Sequence, residues 1–185
     1  MLVLAAVAVP SALAVGAGLP GTKTAKDRAA WRARLHWPTA CEKSWRSSGH
    51  TGIAGVSVWK LNSEVRLVEV SCSLGAYQGT EMLYFARTDD ATRRPPISLL
   101  IYEDSGTGKP KAKRHTVILG TIAFSLRTRQ LNVLDKFRGV GDCGISSTFA
   151  LEDDVFVPIA VRAKLACNGK PPFDPARWPK LPLPR

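Results

Sequence analysis

What is missing from this 185-residue sequence removes several large classes of protein. It carries no phosphate-binding P-loop and no dinucleotide-binding glycine fingerprint, so nucleotide chemistry of the common kinds has nowhere to sit. Its three histidines, His36, His50 and His115, are not spaced three or four residues from a second ligand, which excludes the helical zinc-protease pattern. None of the four cysteines forms a Cys-x-x-Cys pair, against a thioredoxin-like or zinc-ribbon site. No metal and no cofactor is therefore expected. A bilayer-spanning helix needs about 20 apolar residues, and Pro10, Gly16, Gly18 and Pro20 break the one apolar run well short of that.

That run is informative in its own right. Residues 1–14 carry no ionisable side chain and end in Ala12-Leu13-Ala14, the small-residue form of a secretory cleavage site, although the usual basic residues at the start are absent. The expectation is a signal peptide over 1–14, a periplasmic or secreted mature chain, and no transmembrane segment after cleavage. In an oxidising compartment Cys41, Cys72, Cys143 and Cys167 are disulfide partners rather than metal ligands. Of the three possible pairings, the sequence-local one joins Cys41 to Cys72 and Cys143 to Cys167. Closing loops of that size stabilises by roughly 3.5 kcal/mol each in the chain-entropy model, against a typical total of about 5–15 kcal/mol.

Acidic residues are also scarce: 26 basic side chains face 15 acidic ones, a formal charge of +11. Such a surface suits anionic surroundings such as cell-envelope polymers, lipid head groups or nucleic acid, and an anionic envelope component is the partner expected. Lys23 to Arg46 holds seven basic and two acidic residues and includes Trp31, Trp37 and Trp45. Lys109, Lys111, Lys113 and Arg114 form a second cluster without aromatics. Because stacking aromatics accompany basic residues only in the first, specific nucleic-acid binding is not expected. Trp45 and Arg46 with Lys109, Lys111, Lys113 and Arg114 are the candidate binding residues, since basic loops on a rigid body commonly recognise ligands.

Helical spacing of Arg28, Trp31 and Leu35 between Thr24 and His36 predicts one N-terminal helix, with Pro38 closing the segment. From Ile53 the period changes to two. Val56 to Leu61 and Val65 to Val70 read as a hairpin across Asn62-Ser63, and Met82 to Ala86 as a third strand. Ile97 to Tyr102 is a short apolar run that reads as a central strand, and Glu103 to Arg114 as the most mobile loop of the chain. Strands over 116–126, 130–134, 145–151 and 155–164 complete a count of eight. The fold class is mainly β, an antiparallel sandwich or partly open barrel with one N-terminal helix, stapled by disulfides. Organisation follows as leader 1–14, helical segment 15–36, β domain 37–169 and a proline-rich C-terminal strap 170–185 that Trp178 would pin.

The strings Trp37-Pro38-Thr39-Ala40-Cys41-Glu42, Val68 through Gln78 and Phe137 through Gly144, followed by Cys167 and Trp178-Pro179, resemble an uncharacterised bacterial family, the domain-of-unknown-function family numbered 1176. The likeness spans about residues 37–182, and this chain departs from it in having four cysteines rather than six and in being shorter. It implies an exported envelope domain with disulfides and carries no established activity.

One string imitates an active site. Gly141-Asp142-Cys143-Gly144 resembles the nucleophile turn of chymotrypsin-like hydrolases, with His50 as base and Asp89 or Asp90 as its orienting carboxylate in the matching chain order. Ile145 stands where such turns have a second glycine, and a nucleophilic Cys143 would leave Cys167 unpaired. The favoured reading is a non-enzymatic binding or structural domain, with the cysteine hydrolase as its alternative.

Overall fold

The fold was obtained as a computed structural model, in which residues 19–49, 52–88, 94–104 and 108–184 are described. The expected leader, 1–14, lies outside them. Two helices, α1 (Ala25–Leu35) and α2 (Thr39–Ser47), precede nine strands. These are β1 (Val56–Lys60), β2 (Val65–Leu74), β3 (Gly79–Arg87), β4 (Leu99–Glu103), β5 (Lys111–His115), β6 (Ile118–Ser125), β7 (Gln130–Lys136), β8 (Gly144–Glu152) and β9 (Val155–Lys164).

Each helix boundary has a local cause. Thr24 caps α1 by accepting from Asp27 N at 3.2 Å while the Asp27 carboxylate accepts from Thr24 N at 2.9 Å, a complete capping box. The helix ends where His36 turns left-handed at φ 54°. The single helix expected from sequence is corrected to two. Pro38 does stop α1, but it also sits at the N-cap of α2, where a missing N–H costs nothing because the first turn has no partner for it.

Seven strands form one antiparallel sheet in the order β1-β2-β3-β6-β7-β8-β9, and β4 and β5 form a separate two-stranded ribbon. The sheet is open at β1 and β9, yet strongly curled. Phe85 on β3 stacks on Phe156 of β9 with ring centroids 6.0 Å apart, although those strands stand four places apart in the sheet, roughly 19 Å if flat. Trp59 on β1 likewise meets Phe124 of β6 edge to face at 5.8 Å. Register shifts at Ser71/Ser73 and Thr148/Phe149 add the local bends that such closure needs. The result is the partly open barrel of the two expected architectures.

β2 and β3 bury both faces. Val68, Val70, Met82 and Tyr84 pack outward under the helices with Trp31, Leu35 and Trp37, whereas Leu67 and Leu83 point into the barrel with Leu131, Phe149 and Phe156. Cys41–Cys72 welds α2 to β2, and Cys143–Cys167 ties the start of β8 to the segment after β9.

Two strand expectations need correction. Ile97 to Tyr102 is not a central strand: its strand, β4, pairs only with β5 and roofs one end of the barrel against β8. The segment expected as a basic loop contains β5, because Lys-Ala-Lys-Arg-His pairs residue for residue with Leu99–Glu103, and Glu103 accepts from Lys113 across the ribbon. A solvated two-stranded ribbon tolerates lysine and arginine that a buried strand would not. Residues 105–107 lie outside the described ones.

The proline-rich end is irregular apart from one 3-10 turn at Pro175–Arg177, and it covers the outer edge of β9. Ala163 N donates to Pro179 O at 2.9 Å and Leu181 N to Val161 O at 2.9 Å. Trp178, 1% exposed, anchors this strap and donates its indole N–H to Pro172 O at 3.1 Å. Trp178→Ala is therefore expected to cost about 3–5 kcal/mol and to accelerate exchange of the Ala163 and Leu181 amides, read by denaturant unfolding and hydrogen exchange.

Candidate functional site

Arg28 lies one turn ahead of Trp31 on α1, so the face that docks the helix also drives a guanidinium into the interior. It is 3% exposed. Its Nε donates to Glu42 Oε2 of α2 at 2.9 Å, Nη1 to Ala54 O at 2.9 Å and Nη2 to Ser71 O at 3.1 Å. Trp37 and Trp45 lie over it, with ring centroids 5.1 and 4.6 Å from the guanidinium carbon. Burial pulls the guanidinium below its ordinary pKa, while the Glu42 charge opposes that. On Glu42 burial pushes upward, but Arg28, the Trp37 indole N–H and Arg46 together outweigh it and hold the carboxyl below its usual value.

Above this anchor a groove of about 730 Å³ runs between α1 and α2. Ala25, Ala29 and Ala33 make an exposed floor, at a four-residue spacing that keeps one helix face low. Arg32, His36 and Arg46 stand on its rim, and Glu42 is the one carboxylate among the described residues of its lining. Glu42 is already occupied by Arg28, Trp37 and Arg46, the last at 3.4 Å. The groove therefore faces solvent with an excess of positive charge.

The sequence-predicted binding residues separate. Trp45 is 2% exposed and serves the Arg28 anchor, while Arg46 is on the groove rim. Lys111, Lys113 and Arg114 lie on β5, whose ribbon packs on β8, whereas α2 packs on β2. Lys113 is engaged by Glu103, and Lys109 is an exposed residue just before β5. Sequence reasoning used Arg28 only as a marker of helical spacing and did not place it, Arg32 or the alanine floor in a site. Their signal was present as the spacing Ala25, Ala29, Ala33 beside Arg28 and Arg32.

The imitation nucleophile turn has a different occupation. Cys143 is fully buried and bonded to Cys167, so it offers no thiol. Asp142 accepts Arg138 Nε at 2.6 Å and Nη2 at 2.7 Å, and also Gly169 N at 2.7 Å. The Arg138 side chain and then the Gly169 amide, against the opposing effect of burial, hold its carboxyl well below the usual range. Gly144 is required by close approach, since a Cβ there would lie 2.1 Å from Asp135 O. This string is a corner that joins β7, β8 and the segment after β9. His50, Asp89 and Asp90 lie outside the described residues.

The described residues thus form a disulfide-stapled, partly open antiparallel barrel with helices on one face and a basic interhelical groove. The family model described as a protein of unknown function (DUF1176) matches residues 2–182, and the chain belongs to that family. It is 25% identical over 126 residues to the uncharacterised protein YpfG of Escherichia coli (strain K12), an alignment covering 68% of this chain and 34% of that protein. The chain thus spans about a third of the length of the curated relative it matches. No solved structure matches. Among the described residues, no helix is long and apolar enough to cross a membrane.

Two predictions follow from the buried charges. Arg28→Ala strands Glu42 and is expected to cost about 3–5 kcal/mol, whereas Arg28→Met with Glu42→Leu, which removes both charges, costs much less; urea unfolding of both variants measures the difference. The second concerns Glu81, 6% exposed, which alternation places on the barrel side of β3 beside Leu83, opposite Ser71 and diagonal to Glu69. Burial first, then the Glu69 charge, push its pKa to about 8 against the Ser71 hydroxyl and Arg28, and burial pushes Glu69 to about 7. The folded chain then holds more protons than the unfolded one from about pH 4.5 to 8, so stability falls as pH rises through that window. Glu81→Gln should remove a loss on the order of 4 kcal/mol between pH 5 and pH 8.5; parallel unfolding profiles for the two proteins would refute this.

Proposed function

We propose that this chain is an exported, non-catalytic β domain that binds an anionic polymer of the bacterial envelope in the groove between α1 and α2. The observation that carries this reading is the charge arrangement of the groove. Its carboxylate is consumed by internal partners, while Arg32, His36 and Arg46 border an alanine floor open to solvent. Arginine on an open rim engages carboxylate or phosphate groups in bidentate fashion and needs no deep pocket.

Two further features support it. The uncharged apolar segment ending in Ala12-Leu13-Ala14 and the two disulfides fit an oxidising compartment outside the cytoplasm. Trp37 and Trp45 are buried, and their faces are covered by Arg28, so they offer no platform on which a base could stack. A polyanion without bases is the better fit. On this reading the β domain, 37–169, is the scaffold, and the helical segment before it supplies half of the binding surface.

The test compares charge with shape, using a soluble acidic envelope polysaccharide and binding measured across a salt series. Arg32→Gln with Arg46→Gln should weaken binding about tenfold and lower the salt dependence by about two counterions. Ala29→Trp fills the groove without altering charge and should weaken binding comparably. Neutralising Lys109, Lys111, Lys113 and Arg114 together should do less. If only that last variant loses binding, the ribbon is the binding surface and the groove is not.

A further inference from the structure

We propose that a second, separate site exists beneath the β4–β5 ribbon, and that it takes a primary ammonium group. A cavity of about 110 Å³ lies there, bounded by the ribbon and by β6, β7 and β8. That volume exceeds the roughly 10–15 Å³ needed for one water several-fold. Glu103, His115, Asp135 and Ser147 supply its polar lining, and Val133 and Ile145 are among its apolar walls.

The Asp135 carboxylate is the group in this lining that lacks a counter-charge. His115 Nε2 faces Glu103 Oε2 at 3.2 Å and so belongs to that carboxylate. Ser147, opposite Val133 on the neighbouring strand, is 2% exposed. Asp135 receives one hydrogen bond, from Gln78 Nε2 to Oδ1 at 2.9 Å, and Gln78 is itself fixed by accepting from Lys136 N at 2.8 Å. No cation is paired with Asp135 among the described residues, whereas Glu103 is already held by Lys113. Burial raises the Asp135 carboxyl above its ordinary pKa, with the Gln78 bond opposing.

Ligand chemistry follows from that inventory. The Asp135 carboxylate and the Ser147 hydroxyl can both accept, and an –NH3+ group brings donors for them and a counter-charge for Asp135. An anion would meet two carboxylates. A neutral hydroxyl could satisfy one acceptor and would leave Asp135 uncompensated. A metal ion is disfavoured, since no three His, Cys, Asp or Glu side chains among the described residues cluster closely enough to hold one. The apolar walls suit a short alkyl stem behind the amine.

The site is tested on the full chain by amide NMR with n-propylammonium as probe and n-propanol as its uncharged counterpart. Saturable shifts centred on Val133, Asp135, Ile145 and Ser147 are expected with the ammonium and not with the alcohol. Asp135→Asn, which keeps an acceptor for Gln78, should weaken ammonium binding about tenfold, and Arg32→Gln with Arg46→Gln should leave it unchanged. Should the Asn variant fail to fold, Ser147→Ala is expected to weaken binding by about threefold. Equal shifts with propanol, undiminished binding by the variant that folds, or no shifts at all would each overturn the proposal.

Discussion

The guanidinium of Arg28 is the point on which the helical half of this molecule depends. It joins α1, through its own backbone, to Glu42 on α2, to the Ala54 carbonyl before β1 and to the Ser71 carbonyl on β2. A buried cation is tolerated only if its donors are satisfied and its charge is matched, so these four elements must arrive together. Packing around it is equally exacting. A Cβ at Gly55, whose φ is +56°, would lie 2.4 Å from the Trp45 ring. The Cys41–Cys72 bond joins α2 to β2, the same two elements that Arg28 bridges, and so limits how far Glu42 can separate from the sheet.

At the other end of the molecule a second ion pair plays a comparable part. Asp142, buried between Arg138 and the Gly169 amide, sits next to Cys143 and its bond to Cys167. In both places a covalent link crosses the same elements as a desolvated charge. A disulfide restricts the open states of a loop, and a buried ion pair is destabilising only when opened to a half-paired state. Each therefore makes the other safer, which suits a small domain of few helices whose sheet is not closed.

The parts of this architecture that could be read from sequence are those written in local pattern. Period-two alternation marked β1 and β2, the strand formers Leu83, Tyr84 and Phe85 marked β3, and β6 to β9 were marked by β-branched content. α2 was hidden because Pro38 reads as a stop, although a proline is as compatible with a helix start. β5 was hidden because Lys-Ala-Lys-Arg-His has neither alternation nor β-branching; its pairing comes from β4 and Glu103, not from its own composition. The groove was half legible. The aromatic and basic cluster pointed to Arg46, but the pairing of Arg28 with Glu42, 14 residues apart, decides which charges remain for a ligand, and no local pattern encodes it.

That division also explains why Gly141-Asp142-Cys143-Gly144 invites a catalytic reading. A nucleophile turn and a disulfide corner demand the same backbone: glycines that permit close approach, and an aspartate held by a fixed donor. They differ in what the sulfur meets next. Here Cys143 is bonded to Cys167, and the Asp142 carboxylate is held by Arg138 and the Gly169 amide, so the turn fixes a chain crossing. The polar groups that open on solvent or a cavity lie elsewhere. Arginines line the groove between the helices, and Asp135 lines the cavity under the ribbon with no cation beside it among the described residues. The curled sheet is saturated with its own contacts on both faces of β2 and β3, which leaves the helices and the ribbon as the surfaces where polar groups meet solvent.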